Sequence, residues 1–488
     1  LRRQERDGSF AGRGGGTAAV DTAYAVLFLS RGRHPVMMSK LRFDGAAGGP
    51  GYWSNRPRDL ANLARFASRQ IERPLNWQVV NAANPWTEWT DCPVLFIASH
   101  EAPGLTDDQV DNLRRFAEAG GLLLTHADAS APKFDQWARQ LAARLFPKYP
   151  LAPVPDAHPL WSVVYRPTVR PPLLGVSNGS RLLMVHCPSD VALKWQQRVD
   201  RAYEARAGGP RASSSPVVNP DESAKNAALA PFQLGTNVFF YAAGKRDFRN
   251  RIDSTWVQAP RSAPVDTVRV ARLRHAGNWD PEPAAWERYG NWFHRGTGTK
   301  LQVEPVDLAD LKEDAGRTWP FAHLTGTAGV TFAPAEVEGL RRYVAGGGVV
   351  LIDPTGGLNG FDAAVRTQLL PKAFPDDFPR LIDPSVHPAF QSGNPGTEDC
   401  SRPRVRMYTL DRMPVEAATI QELVPGTGTG QPRPKGPRKP GCVIVTSQDV
   451  TTGLLGANTW GITGFHPRYC QSLVKNLIFW STDGMPGR

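Results

Sequence analysis

The sequence predicts an α/β protein made of two tandem copies of one parallel-sheet domain, preceded by a helical remnant, and three observations lead there. The first is an ungapped internal repeat. Setting Pro93 on Pro320 places Leu113-Arg114-Arg115 on Leu340-Arg341-Arg342 and Gly120-Gly121 on Gly347-Gly348, and chance seldom preserves such spacing. The second is the pattern within each copy: an apolar strand, an amphipathic helix, a Gly-Gly turn and another apolar strand. The strands are expected at Val94 to Ala98 and Leu122 to Thr125, then at Phe321 to Thr325 and Val349 to Ile352. A strand-helix-strand unit of this length implies parallel strands joined by a right-handed crossover. The third is length, since 488 residues exceed one ordinary core at roughly 150 residues per domain.

The correspondence runs on beyond that unit. Leu145-Phe146-Pro147 matches Ala373-Phe374-Pro375, and His158-Pro159 matches His387-Pro388. A strand at Leu182 to Cys187, before Asp190, matches one at Val443 to Thr446, before Asp449. Asn237-Val238-Phe239-Phe240-Tyr241 matches Asn476-Leu477-Ile478-Phe479-Trp480. The expected domains are residues 41–256 and 265–488, after a helical segment at 1–40. Two copy-specific stretches, Glu204 to Ala230 and Glu422 to Pro440, are rich in Ser, Pro, Gly or Lys and are expected to be mobile loops.

Composition narrows the function classes. A hydrophobic fraction of 41% and a charged fraction of 21% are ordinary for a protein with a real core. No apolar run approaches the ~18 to 20 residues of a membrane helix. The formal charge of +11 is spread along the chain rather than clustered, which disfavours nucleic acid as a partner. Cys92, Cys187, Cys400, Cys442 and Cys470 show no CxxC spacing, so neither a zinc knuckle nor a dense disulfide framework is expected. Cys187, at a strand end, is expected to be an inert buried thiol. The chain starts at Leu1 rather than at methionine, and the reading is a C-terminal fragment whose upstream part could hold an export signal, which leaves localisation open with an extracytoplasmic site as one option.

Two resemblances add to this. Gln4, Asp7-Gly8-Ser9-Phe10 and a helix from about Thr17 to Arg31 resemble the last repeat of an α/α-toroid of the squalene cyclase and prenyltransferase type. That likeness covers under a tenth of the chain and carries over no cyclase residue. Each larger copy, with its Leu-Arg-Arg helix, Gly-Gly turn, Phe-Pro and His-Pro, resembles the bacterial domain-of-unknown-function family 4159, whose fold is glutamine amidotransferase-like. The resemblance implies a flavodoxin-like three-layer sandwich and no established activity. Active amidotransferases carry a cysteine in the turn after a central strand. Here those turns read His126-Ala127-Asp128-Ala129-Ser130 and Asp353-Pro354-Thr355-Gly356-Gly357, without a thiol, so glutaminase chemistry is not expected.

Ligands of open parallel sheets bind beyond the carboxyl ends of the strands. That rule selects Ser99, His100, Glu101, His126, Asp128 and Asp190 in the first copy, with His158 on a nearby loop. The second-copy equivalents are Thr327, Asp353, His387 and Asp449, a set poorer in titratable groups. His126 with Asp128 suits acid-base chemistry or ligand binding, although Asp128 also suits a helix cap. Both His-Pro histidines suit loop anchoring. His100, Glu101, His126, Asp128 and His158 are metal-ligating residue types without a metal-binding spacing, so neither metal nor cofactor is expected. The functional expectation is a non-catalytic protein that binds an unidentified protein or a small molecule, a carbohydrate among the options, with a His/Asp hydrolase in the first copy as the alternative.

Overall fold

In the computed structural model, residues 17–31, 34–197, 220–245, 256–392, 396–426 and 441–482 are described, with Glu5, Asp7, Ser9, Phe10 and Phe248. The first sheet contains β1 (Val36–Arg42), β2 (Asn76–Asn81), β3 (Val94–Ser99), β4 (Leu122–Ala127), β5 (Leu151–Pro153), β6 (Leu174–Ser177) and β7 (Leu182–Cys187). The second contains β8 (Asp266–Arg274), β9 (Thr299–Asp307), β10 (Phe321–Gly326), β11 (Val349–Pro354), β12 (Arg380–Leu381), β13 (Ile420–Leu423) and β14 (Cys442–Thr446). Their spatial orders are β2-β1-β3-β4-β7-β6-β5 and β9-β8-β10-β11-β14-β13-β12. Replacing each strand of one by its counterpart gives the other. The first five strands of each order pair in parallel, and the last two join antiparallel. The expected parallel sheets are therefore mixed at one edge, where β6 and β5 in one sheet and β13 and β12 in the other run antiparallel.

The register is duplicated too: Val94 pairs with Leu122 as Phe321 pairs with Val349. Alternation does the layering. Val94, Phe96 and Ala98 face one core while Leu95 and Ile97 face the other, and Val349 and Leu351 oppose Val350 and Ile352 in the same way. Apolar on both faces, each sheet is sandwiched between helices.

The repeated landmarks have visible causes. Gly120 and Gly347 adopt φ of 103° and 92° at the end of the crossover helix, where a side chain is disfavoured. A Cβ on Gly121 would come within 2.3 Å of the Phe116 ring, and one on Gly348 within 2.4 Å of Tyr343, its counterpart. Asn237 accepts from the amides of Val164 and Tyr165 and donates to Tyr165, while Asn476 accepts from the Glu398 amide and donates to its carbonyl. In both copies a final-helix asparagine fastens the long loop.

Three expectations change. β1 begins at Val36, so residue 41 falls inside a strand. Pro220–Ala243 is one helix, so only the first part of the expected loop 204–230 lies before it, outside the described residues. Glu422 belongs to β13, and 427–440 lie outside the described residues. The segment Ala18–Arg31 is helical as expected.

The two domains meet across buried polar contacts. The Arg181 guanidinium grips the Glu282 carboxylate with two bonds of 2.8 Å, the two side chains being 1% and 0% exposed. It also donates to the carbonyls of Ala117 and Gly121. Asn178 and Ser180 complete the shell of Glu282. Trp460 of the second domain joins the apolar cluster of the first, its amide donating to the Tyr241 carbonyl.

Two substitutions test this account. Glu282→Gln leaves the Arg181 charge buried without its counter-ion, and should cost about 3–5 kcal/mol in urea unfolding; a loss under about 1 kcal/mol would remove the pair from any central role. Gly121→Ala should cost about 1–3 kcal/mol through overpacking against Phe116, and an unchanged midpoint would show that the ring simply moves.

Candidate functional site

Three loops converge beyond the carboxyl ends of β1, β4 and β7. From β4 come His126, pointing into the core at 1% exposure, and Asp128, at 3%. After β7 comes Asp190, half-buried. The loop after β1 supplies Tyr52, Asn55 and Arg56. The His126 Nδ1 lies 3.1 Å from Asp128 Oδ1, and its Nε2 accepts the Ala192 amide at 3.1 Å. An accepting Nε2 places the ring proton on Nδ1, where it is donated to Asp128. The Arg56 guanidinium bridges the carboxylates of Asp128 and Asp190.

Asp128 does not cap the next helix. That helix, Pro132–Leu145, starts from Ala131 without a side-chain cap. Burial works against the charge of Asp128, but the bonds from His126 and Asn55 and the nearby Arg56 outweigh it and hold the carboxyl below its ordinary value. Asp190 accepts the amides of Ala129 and Leu193. At the mouth, the Asn55 amide nitrogen lies 3.0 Å from Asp128 Oδ2 and 2.9 Å from His100 Nδ1, and the exposed Tyr52 ring packs 4.6 Å from that of His100. Tyr52, Ala129 and Ser130 hold positive φ of 46°, 56° and 53°. Left-handed backbone at non-glycine residues is strained, and it clusters here.

The remaining expected residues lie apart. The Ser99 hydroxyl accepts the Glu101 amide, and Glu101 pairs with Lys133 on the surface. His158 Nδ1 caps a short helix by accepting the Leu160 amide, its ring packs on Tyr241, and burial pushes its pKa down to about 4. It is an anchor rather than a site residue. His387 does the same for Ala389, and His466, before Pro467, for Arg468. Proline fixes φ at the first helical position, and the preceding imidazole takes a free N–H. Cys187 is pushed up to about 11 by burial and is no thiolate.

Arg56, Asn55 and Tyr52 escaped sequence reasoning because the loop after β1 has no counterpart signal in the second copy. The available clue was a polar run, Ser54-Asn55-Arg56-Pro57-Arg58-Asp59, directly following an aromatic pair.

At the same locus of the second domain, Asp353 replaces His126. Its Oδ2 accepts the Val450 and Thr451 amides, the latter being the counterpart of Ala192. His323 donates to Asp353 at 2.6 Å and accepts from the Trp286 indole. Asp449, the counterpart of Asp190, accepts the Gly356 amide and faces Arg406 at 3.4 Å. The second copy is thus less depleted of titratable groups than expected, yet Asp353, Asp449, Thr355 and Thr452 are all 0% exposed. Thr327 lies elsewhere, accepting from Asn278 at the domain boundary.

Ligand atoms of His126, Asp128 and Asp190 lie within 4.8 Å of one another, which would suit an ion. The Arg56 guanidinium already stands between the two carboxylates and offsets one of their two negative charges.

The second-domain cluster titrates in a testable direction. Burial raises Asp449 to about 6, with Arg406 opposing and Asp353 adding to the rise. A folded pKa above the unfolded value means that the folded state binds more protons between roughly pH 4 and 6, so this residue favours folding as pH falls through that window. In urea titrations, wild type should gain stability relative to Asp449→Asn as pH drops from 6 to 4. A flat difference would mean that Asp449 is not raised.

No curated protein matches the chain. A solved exo-β-1,4-mannosidase, Op5Man5 from Opitutaceae bacterium strain TAV5, aligns over 92% of this chain and 96% of its own, at 11% identity and a TM-score of 0.22. A family model described as a domain of unknown function (DUF4159) matches residues 39–243 and 269–394, the greater part of both duplicated halves. The chain belongs to that family.

Proposed function

We propose that the chain is a non-catalytic binding protein whose first domain takes a small, neutral, hydroxyl-rich ligand of carbohydrate type at the carboxyl edge of its sheet. One observation carries this reading: of the two equivalent strand-end loci, the second domain's is fully buried, while the first domain's lies beneath the exposed Tyr52 and Asn55. The Tyr52 ring packs against His100, and the Asn55 Oδ1 takes no hydrogen bond among the described residues. Aromatic faces beside neutral amide and imidazole groups suit the apolar faces and hydroxyls of a sugar. The charged groups beneath are satisfied by one another and act as a rigid floor.

Hydrolysis is disfavoured because both ring nitrogens of His126 are engaged, leaving no lone pair for a general base. An amidotransferase-like ancestry fits the same observations. The turn after β4 keeps strained backbone at Ala129 and Ser130, where such enzymes place their nucleophile, but holds no thiol.

Calorimetric titration with a panel of neutral mono- and oligosaccharides tests the reading. A binding sugar should lose about tenfold in affinity on Tyr52→Ala or Asn55→Ala. If no panel sugar binds, or binding survives both substitutions, the reading falls.

A further inference from the structure

A second cavity, distinct from the strand-end site, lies where the two domains meet. It holds about 240 Å³ and is lined from the first domain by Glu118, Phe146, Tyr149 and Leu183, and from the second by Asp280 and Pro281. Its floor is apolar, and its polar wall sets the acceptors of Glu118, Tyr149 and Asp280 beside the side chains of Arg114 and Lys148. The Tyr149 hydroxyl sits 3.0 Å from Asn278 Oδ1, an acceptor-only atom, so its proton is spent there and its oxygen is left to accept. Asn278 spends its amide hydrogens on the Asn178 carbonyl and on Thr327. Glu118, half-buried, makes no hydrogen bond or salt bridge among the described residues.

Apart from Lys148, the surrounding cations are already committed. Arg114 pairs with Asp111, Arg115 lies near the same carboxylate, and Arg272 is held by Asp280. Glu282, at the back wall, is consumed by Arg181. Lys148, at the rim, is exposed. Burial raises Glu118, against the pull of Arg114 and Arg115, and burial followed by the carboxylates of Glu282, Asp280 and Glu118 lifts Tyr149 to about 12. Partly desolvated acceptors that meet no donor are costly unless something supplies one.

We infer that this interdomain cavity binds a small organic ammonium ion, its apolar body on Phe146, Leu183 and Pro281 and its N–H groups on the Glu118 carboxylate and the Tyr149 oxygen. Both domains contribute walls, so an occupant also ties them together. A volume of about 240 Å³ admits a ring or short chain bearing one amine, below the ~300 Å³ at which drug-sized pockets begin.

Benzylammonium is the probe, titrated calorimetrically into the full chain at neutral pH, with benzyl alcohol and benzoate as neutral and anionic controls. Saturable binding is expected for benzylammonium, at least about tenfold tighter than for either control. Glu118→Gln should weaken it about tenfold. That change is isosteric and half-exposed, so unaltered thermal unfolding of the variant alone certifies its fold. At equal concentration benzylammonium should raise the wild-type unfolding midpoint more than that of Glu118→Gln. No saturable binding, equal binding of benzoate, or full binding by Glu118→Gln each overturns the assignment, the last by placing the amine elsewhere. Tyr52→Ala, at the strand-end site, should leave benzylammonium binding intact, which separates this inference from the sugar-binding proposal.

Discussion

A guanidinium and a carboxylate that have both left water organise this molecule. Removing Arg181 and Glu282 from solvent costs several kcal/mol per ion, and only a full set of partners makes that tolerable. The set is supplied by both domains: the carbonyls of Ala117 and Gly121 for the arginine, and Asn178 and Ser180 for the glutamate. The arginine thereby clamps the Gly-Gly turn of the first domain, and the glutamate sits just before the helix Ala284–Thr297 of the second. Trp286 on that helix orients His323, and His323 orients Asp353. A chain of polar contacts thus links the domain boundary to the sealed cluster. The same docking forms the cavity over Glu118.

The two strand-end loci show what duplication preserved and what it released. Both central strands end in a side chain that accepts the same helix N–H, the amide of Ala192 or of Thr451. An imidazole nitrogen and a carboxylate oxygen serve equally as acceptors, which is why His126 and Asp353 exchange. Each following aspartate also has a cation. In the first domain it comes from the loop after β1, as Arg56; in the second it comes from the loop between β12 and β13, as Arg406. A buried carboxylate needs a counter-charge, but no rule dictates which loop provides it. The consequence is local: the loop that brings in Arg56 also places the exposed Tyr52 and Asn55 against His100.

The sequence by itself determined the fold class, the duplication and the register. Continuous apolar runs at Val94 to Ala98 and Val349 to Ile352 suit a sheet covered on both faces, and the glycines at 120, 121, 347 and 348 are required by φ and by ring contacts within one short unit. Such constraints are local, so they leave a periodic trace. The convergence of His126, Asp128 and Asp190 was legible for a related reason: the strand-end rule needs only topology. The tertiary structure alone decided that Arg56 and Asn55 complete that site, that His158 and His387 are helix anchors, that Thr327 belongs to the domain boundary, and that the second locus is closed. Those outcomes depend on which loops meet after folding. Side chains far apart in sequence that pair through charge and desolvation carry no periodicity, and only the folded chain brings them within reach of one another.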